Sequence, residues 1–281
     1  DAAEIIGGPT ATAEEVENIR VKLGLDRPMY EQYIKYISGV LRGELGYSFQ
    51  TGQSVSEAIK IRYGNTFSLA VFSAIIAAII GVGAGVIAAV KQNSWFDYLS
   101  MSVATFGISA PTFWIGLLLI VVFCVKLKWL PISGFSSQFW TKDGLTHMIL
   151  PSITLGFSSA AMIARMTRSS ILEIIHQDYV ETARAKGLSE RVVILKHALK
   201  NALIPVITVI GVNFGGLLGG AVVVESVFAI NGIGRLMVQS INARDFPMVQ
   251  GTVLVVATTF VIINLLTDII YAVIDPRISY K

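Results

Sequence analysis

An all-α, polytopic transmembrane fold is predicted by three features of the sequence. Of its 281 residues, 53% are hydrophobic and only 15% are charged, against roughly a quarter charged in a soluble domain. The charges are also unevenly placed. No Asp, Glu, Lys or Arg occurs in Tyr63–Val90, Tyr98–Val125, Gly144–Ala164, Asn201–Val224 or Phe246–Thr267. Each run has the ~20 residues that a helix needs to cross a bilayer core. A soluble core helix alternates faces and rarely stays uncharged that long. Finally, the block between the third and fourth runs is charged and compatible with a helix. It holds seven Lys or Arg from Arg165 to Lys200, against four Asp or Glu.

Residues 1–64 differ in kind from the rest and read as a small helical segment beside the membrane. Thr12 with Glu15 three residues later is a capping box. The helix it opens runs to about Leu23, where Gly24 stops it. Pro28 suits the first turn of a second helix through about Leu41. Gly43 and Gly46 mark a loop, and Ser54 with Glu57 is a second capping box opening a short helix. Five spans follow at about 65–90, 98–126, 146–175, 201–225 and 247–273. The link at 127–145 carries Pro131, Gly134 and the aromatics Trp129, Phe135, Phe139 and Trp140, which suit a headgroup interface. The link at 226–246 carries the turn signal Asn231-Gly232.

Basic residues in the links set the orientation. The links at 91–97, 165–200 and 274–281 carry ten Lys and Arg, and those at 126–146 and 225–247 carry five. The first set is therefore cytoplasmic, the C-terminus with it, and residues 1–64 are extracytoplasmic. Long segments translocate largely regardless of charge, so the basic residues of 1–64 count little against this. The sequence begins at Asp1 without a methionine and without a basic stretch leading into an apolar one; a missing N-terminal piece is expected. Cys124, the one cysteine, reads as a small packing residue.

Several features favour a plain reading. Gly211, Gly215 and Gly219, Gly216 and Gly220, and Gly81, Gly83 and Gly85 suit close helix packing within one subunit better than a sliding interface. No G-x-x-x-x-G-K-[ST] occurs, so the chain has no P-loop ATPase of its own. Gly156-Phe-Ser158-Ser-Ala160 only half matches a nucleophile elbow and lies in a span. His147, His176 and His197 are scattered, and no metal site is expected. Pro111 and Pro151 either kink a span or start one. Glu225 and Asp268 lie near span ends, where solvent would reach them; Asn213 and Asn264 lie deeper. None of these four is assigned to the solute, and the translocation path is left unassigned.

The charged block carries the function. On charge alone it is a positive-inside loop that orients the protein. Within it, Glu181-Thr182-Ala183 precedes Gly187 by a spacing that resembles the EAA loop of permease subunits in ATP-binding-cassette importers. Small residues such as Ala183 and Ala185 would let a short helix sit close in a groove. Gly187 would let the chain turn sharply, and Glu181, Arg184 and Lys186 would rim the contact. The resemblance extends over nearly the whole chain, to the first of two permease subunits in dipeptide, oligopeptide, nickel and glutathione importers. It is carried by LGLDRPMYEQY (Leu23–Tyr33), GELGYSF (Gly43–Phe49), SAPTFWIGLLLI (Ser109–Ile120) and ILPSITLG (Ile149–Gly156). DYVETARAKG (Asp178–Gly187), HALKNALIP (His197–Pro205), RDFPMVQ (Arg244–Gln250) and DPRI (Asp275–Ile278) continue it. Each piece alone is weak, and their order and spacing together are specific. The chain departs from the general loop signature at Thr182, and its Ile204-Pro205 stands farther from the glycine, a longer variant common in peptide-type members. Asn231 stands where many members have proline.

The resemblance implies a type I ABC importer permease fold with six spans, the first lying N-terminal to Asp1. It divides the chain into an extracytoplasmic segment at 1–64 and a transmembrane domain at 65–281, with a cytoplasmic coupling loop at about 176–200. It further implies a second homologous permease subunit, two ATP-binding subunits and an extracytoplasmic solute-binding protein, in a bacterial or archaeal inner membrane. The chain itself would need no cofactor, with ATP and magnesium held by the partner subunits. Glu181, Thr182, Ala183, Arg184, Lys186 and Gly187 would couple to the ATPases. Short peptides are the expected cargo, with glutathione or nickel chelates as alternatives. A motor-independent secondary transporter or channel is the rival from another class. Such proteins usually hold midplane ionisable residues and inverted repeats, and neither is clear here. A membrane-embedded enzyme has no catalytic constellation to support it.

Overall fold

Lipid offers no partner for a backbone N–H or C=O, so apolar runs of this length satisfy their own groups as helices. The computed structural model describes residues 2–8, 10–132 and 141–274 and is helical nearly throughout. Three short helices come first: α1 (Ala2–Gly7), α2 (Ala13–Leu23) and α3 (Met29–Leu41). The capping box at Thr12 and Glu15 is formed, and Gly24 ends α2 in the left-handed conformation at φ 72°. α4 (Val55–Val90) runs 36 residues, about 54 Å at ~1.5 Å per residue. It passes residue 64 without a break, so the expected short helix and the first span are one element. Ser54 is its N-cap but makes no side-chain cap bond. Ser56 takes the polar work instead, bonding Leu45 N–H and the Gly43 carbonyl.

The second expected span is not a straight helix. α5 (Trp95–Ser109) and α6 (Thr112–Leu119), which continues as a π-helical stretch at Ile120–Lys126, are bent by 114°. Pro111 removes a donor and keeps Ala110 extended, at ψ 135°. The broken segment still advances along α7 (Lys142–Ile175). Asp97 meets Arg168, Thr105 meets Arg165, Gly107 lies against Phe157 and Ala161, and Gly116 lies against Thr154. Pro151, by contrast, sits inside α7, which continues through it.

After α7 come α8 (Asp178–Ala185), the single turn α9 (Glu190–Val192), a π-helical stretch at Val193–Ala198, and α10 (Leu199–Val227). The link at 226–246 contains an amphipathic helix, α11 (Ile233–Asn242), before α12 (Phe246–Ile274). Among the described residues, four long apolar helices and the bent pair give up to five crossings. Gly134, Phe135, Phe139, Trp140, the match at Asp275–Ile278 and the C-terminal residues lie outside the described residues.

The main core gathers Leu69 of α4, Cys124, Leu150 and Leu155 of α7, and Leu217 and Leu218 of α10. α4 and α7 approach closely because glycines remove the side chains between them. Gly81 and Gly85 face the Ala160 and Ala164 carbonyls, and Gly156 faces the Ser73 carbonyl. Gly211 and Gly215 likewise seat Thr267, Phe260 and Asn264 of α12. The plain packing reading therefore holds for these glycines. Gly83, Gly216 and Gly219 face open space.

A Cβ at Gly156 would fall 2.7 Å from the Ser73 carbonyl oxygen. Gly156→Val is expected to cost about 1–3 kcal/mol by forcing α4 from α7. Gly83→Ala, in open space, is expected to be neutral or to stabilise by up to about 1 kcal/mol. Thermal unfolding in detergent separates the two.

Candidate functional site

α8 is a two-turn helix whose sequence suits its ends. Asp178 and Glu181 lie in the first turn and Arg184 in the last, each where the helix dipole favours its charge. Thr182 bonds back to the Asp178 carbonyl at 2.8 Å. The stop is a Schellman turn. Gly187 adopts φ 78°, its N–H reaches the Arg184 carbonyl at 2.9 Å, and Leu188 N–H reaches the Ala183 carbonyl at 3.4 Å. The sharp turn expected at Gly187 is present, and a side chain there would be strained.

One face of α8 is buried in the chain itself. Val180 is fully buried and Ala183 nearly so, packed with Val193 and Ile174. Burying Val180 stabilises the helix's seat by roughly 2 kcal/mol. Ala183 thus points into its own subunit rather than outward to a groove, whereas Ala185 is exposed. Arg184 also differs from its expected place at a free rim. Its Nε and Nη2 donate to Glu190 at 3.2 and 2.7 Å, and its Nη1 donates to the Ile175 carbonyl at 3.2 Å. The bond to Glu190 raises the Arg184 pKa above its ordinary value. Tyr179 accepts at its hydroxyl from Asn201 at 2.8 Å.

The result is a short helix tied to two spans. Arg184 holds it to the last carbonyl of α7, and Tyr179 holds it to the first turn of α10. Val180 is wedged beside the π-helical stretch between α9 and α10. Glu181, Thr182, Lys186 and Gly187 remain exposed, with Tyr179 43% and Leu188 40% exposed beside them. Behind this exposed face the helix is bonded to both α7 and α10. Sequence reasoning missed the anchors Tyr179, Val180, Glu190, Val193 and Asn201. Val180 and Ala183, three residues apart, carried a visible helical stripe; the polar pairs had no local signal.

A second polar cluster lies at the other end of the spans. Glu225 is fully buried, not solvated as its place near a span end suggested. It accepts from Thr66 Oγ1 at 2.6 Å and Arg235 N–H at 2.9 Å, so it caps α11 and fastens it to α4. Gly232 and Gly234 leave room for this carboxylate. Asn231 is bonded by Arg62 at 3.0 Å and by Asn65 at 2.9 Å, which defines the loop where proline is absent. Nearby, Ser48 and Phe49 N–H bond the buried Asp245. Two stretches matched separately in the sequence, Gly43–Phe49 and Arg244–Gln250, therefore meet. Asp268 is exposed, and Asn213 bonds the Val209 carbonyl on its own helix. Arg168 forms a two-pronged pair with the buried Asp97, at 2.6 and 2.8 Å.

Residues 81–280 match the family described as binding-protein-dependent transport system inner membrane component, and residues 1–70 match its N-terminal region. The chain is 48% identical over its whole length to the glutathione transport system permease protein GsiC of Escherichia coli O6:H1, covering 90% of that protein. It is 47% identical to the proteins of that name from Escherichia coli K12 and Shigella dysenteriae serotype 1, with the same coverage. Among solved structures, it resembles an inward-facing MetNI methionine ABC transporter. The TM-score is 0.65 at 18% identity, over 78% of this chain and 96% of that one. An amino acid ABC transporter solved with histidines gives a TM-score of 0.54 at 17% identity, over 79% and 95%. These two likenesses establish the fold.

Arg184→Gln is expected to free α8 from α7 while leaving the spans intact. Hydrogen exchange of 178–188 should rise severalfold, with that of α4 and α7 unchanged. Equal protection in the variant and the parent would show that Arg184 does not brace the helix.

Proposed function

The chain belongs to the family of binding-protein-dependent inner-membrane transport components, and on that premise we propose that it passes glutathione, or a closely similar small peptide, through a path shared with a second permease subunit. It is a multi-pass permease subunit of an ABC importer. The cargo reading rests on the full-length similarity to permeases named for glutathione. The reading thereby prefers glutathione, the alternative cargo, over the short peptides that were the first expectation.

The drive would come from two partner ATPases that hold ATP and magnesium, with an extracytoplasmic protein delivering solute. The exposed face of α8 is the proposed seat for an ATPase. The observation that carries this is the double tether. α8 is fixed to α7 through Arg184 and to α10 through Tyr179 and Asn201. Closure of the motor pair would move α8, and α8 would carry the bases of both spans. Such coupling requires the motor to bind α8 more favourably in one state than in the other. This reading places α8 and the C-terminus on the cytoplasmic side of a bacterial inner membrane, and residues 1–64 on the opposite side.

Gly187→Pro tests it, because proline cannot adopt φ 78°. In proteoliposomes with partner subunits and binding protein, the parent should take up labelled glutathione only with ATP. Gly187→Pro should assemble but lose at least ~10-fold in uptake, about 1.4 kcal/mol of coupling. ATP-independent uptake by the parent, or full uptake by the variant, would refute the mechanism. Uptake of unrelated dipeptides with no uptake of glutathione would refute the cargo alone.

A further inference from the structure

We infer that α3 is a membrane-interface helix whose apolar face is covered by the acyl chains and headgroups of the leaflet at the Val55 end of α4. α3 is amphipathic. On a helical wheel, Met29, Tyr30, Tyr33, Ile34, Ile37 and Leu41 share one arc. Glu31, Lys35, Ser38 and Arg42 share the opposite one. None of its residues is buried. Met29 is 86% exposed, Leu41 83%, Tyr33 67%, Tyr30 64% and Ile34 63%. So contiguous an apolar stripe on an outer helix needs a cover.

Three observations identify that cover as lipid. The first is depth. Val40, at the C-terminal end of α3, packs against the cluster formed by Leu45 and by Val55 and Ile59 at the start of α4. The charge-free run of α4 begins at Tyr63, so α3 ends at the level where that span leaves the headgroups. The second is continuity. An open cleft of about 560 Å³ runs from Val40 and Leu45 down between Tyr63 of α4 and Leu254 and Val255 of α12. Val40 lies on the same arc of α3 as the stripe, so the cleft opens beside the stripe's C-terminal end, and farther along the two spans Ile75, Ile79, Val261 and Leu265 are exposed. The third is chemistry. Tyr30 and Tyr33 have the apolar body and polar tip that favour a headgroup boundary, and Lys35 and Arg42 on the other arc suit phosphates. Lys60, at the mouth of the cleft, pairs with no carboxylate among the described residues and suits a phosphate too. An interfacial helix combines these same features: a large apolar face, a charged opposite face and burial to about 5–10 Å. The inference depends on α4 crossing the membrane and not on the cargo.

Fluorescence quenching tests it in the assembled transporter, reconstituted in vesicles of phosphatidylethanolamine and phosphatidylglycerol. Ile34→Cys and Lys35→Cys are each labelled with an environment-sensitive dye; Cys124 is buried and stays in place. The label at position 34 should lose roughly half its emission when the acyl chains are brominated, and resist aqueous iodide. The label at position 35 should show the reverse. Equal access of iodide to both positions would place the stripe in water and overturn the inference. Shielding of position 34 from both quenchers would mean a protein covers the face, and would overturn it equally. Tyr33→Cys, on the same arc, serves if Ile34→Cys fails to assemble.

Discussion

The Arg184 guanidinium is the interaction on which the functional account depends. It reaches the last carbonyl of α7, that of Ile175, with one nitrogen and Glu190 with two others. As an exposed ion pair it is worth at most about 1 kcal/mol. Its importance is geometric. A planar, forked cation fixes the direction of α8 relative to α7, which a single lysine bond would not. With Tyr179 on Asn201 and Val180 in its apolar seat, α8 is held against both α7 and α10. A loop that served only to orient the protein would need none of these bonds.

Elsewhere the chain spends its polar groups on joining helices. Asp97 and Arg168 fasten α5 to α7, Glu225 and Thr66 fasten α10 to α4 and α11, and Asp245 fastens the start of α12 to the loop at Ser48. Each carboxylate is buried and fully engaged, and losing one partner from such a cluster is costly because the other stays desolvated. Between these polar ends, α4, α7 and α10 meet through glycine and small residues, where dispersion and close backbone approach replace the missing hydrophobic drive. The permease is thus a close-packed bundle pinned near both ends of its spans, and α8 keeps one face exposed.

Much of this was legible in the sequence because charge marks the ends of spans. The run Asn201–Val224 located both ends of α10 to within a turn, the run ending at Val90 located the end of α4 and the run starting at Gly144 the start of α7, while α4 begins and α7 ends two to three turns beyond their runs. Thr12 with Glu15, and Gly24, located α2 because caps are local chemistry, and Gly187 was readable for the same reason. Pro111 was not decisive, since proline both breaks and begins helices; only the packing of α5 and α6 on α7 shows the bend. Arg184 carries several donors and no local sign of which acceptor it meets, so it read as a free rim residue. Glu225 read as solvated because position near a span end reports depth along one helix and says nothing of α4 and α11 closing over it. The π-helical stretches at Ile120–Lys126 and Val193–Ala198 had no signal in composition or periodicity.

The most direct measurement of the central claim is photo-cross-linking from the exposed side of α8 in intact cells. A benzophenone amino acid in place of Lys186 leaves Arg184, Tyr179 and Val180 undisturbed. The account predicts capture of a cytoplasmic ATP-binding subunit, with a yield that changes when ATP is depleted. Capture of an extracytoplasmic protein instead, or of no ATP-binding subunit at all, would contradict it.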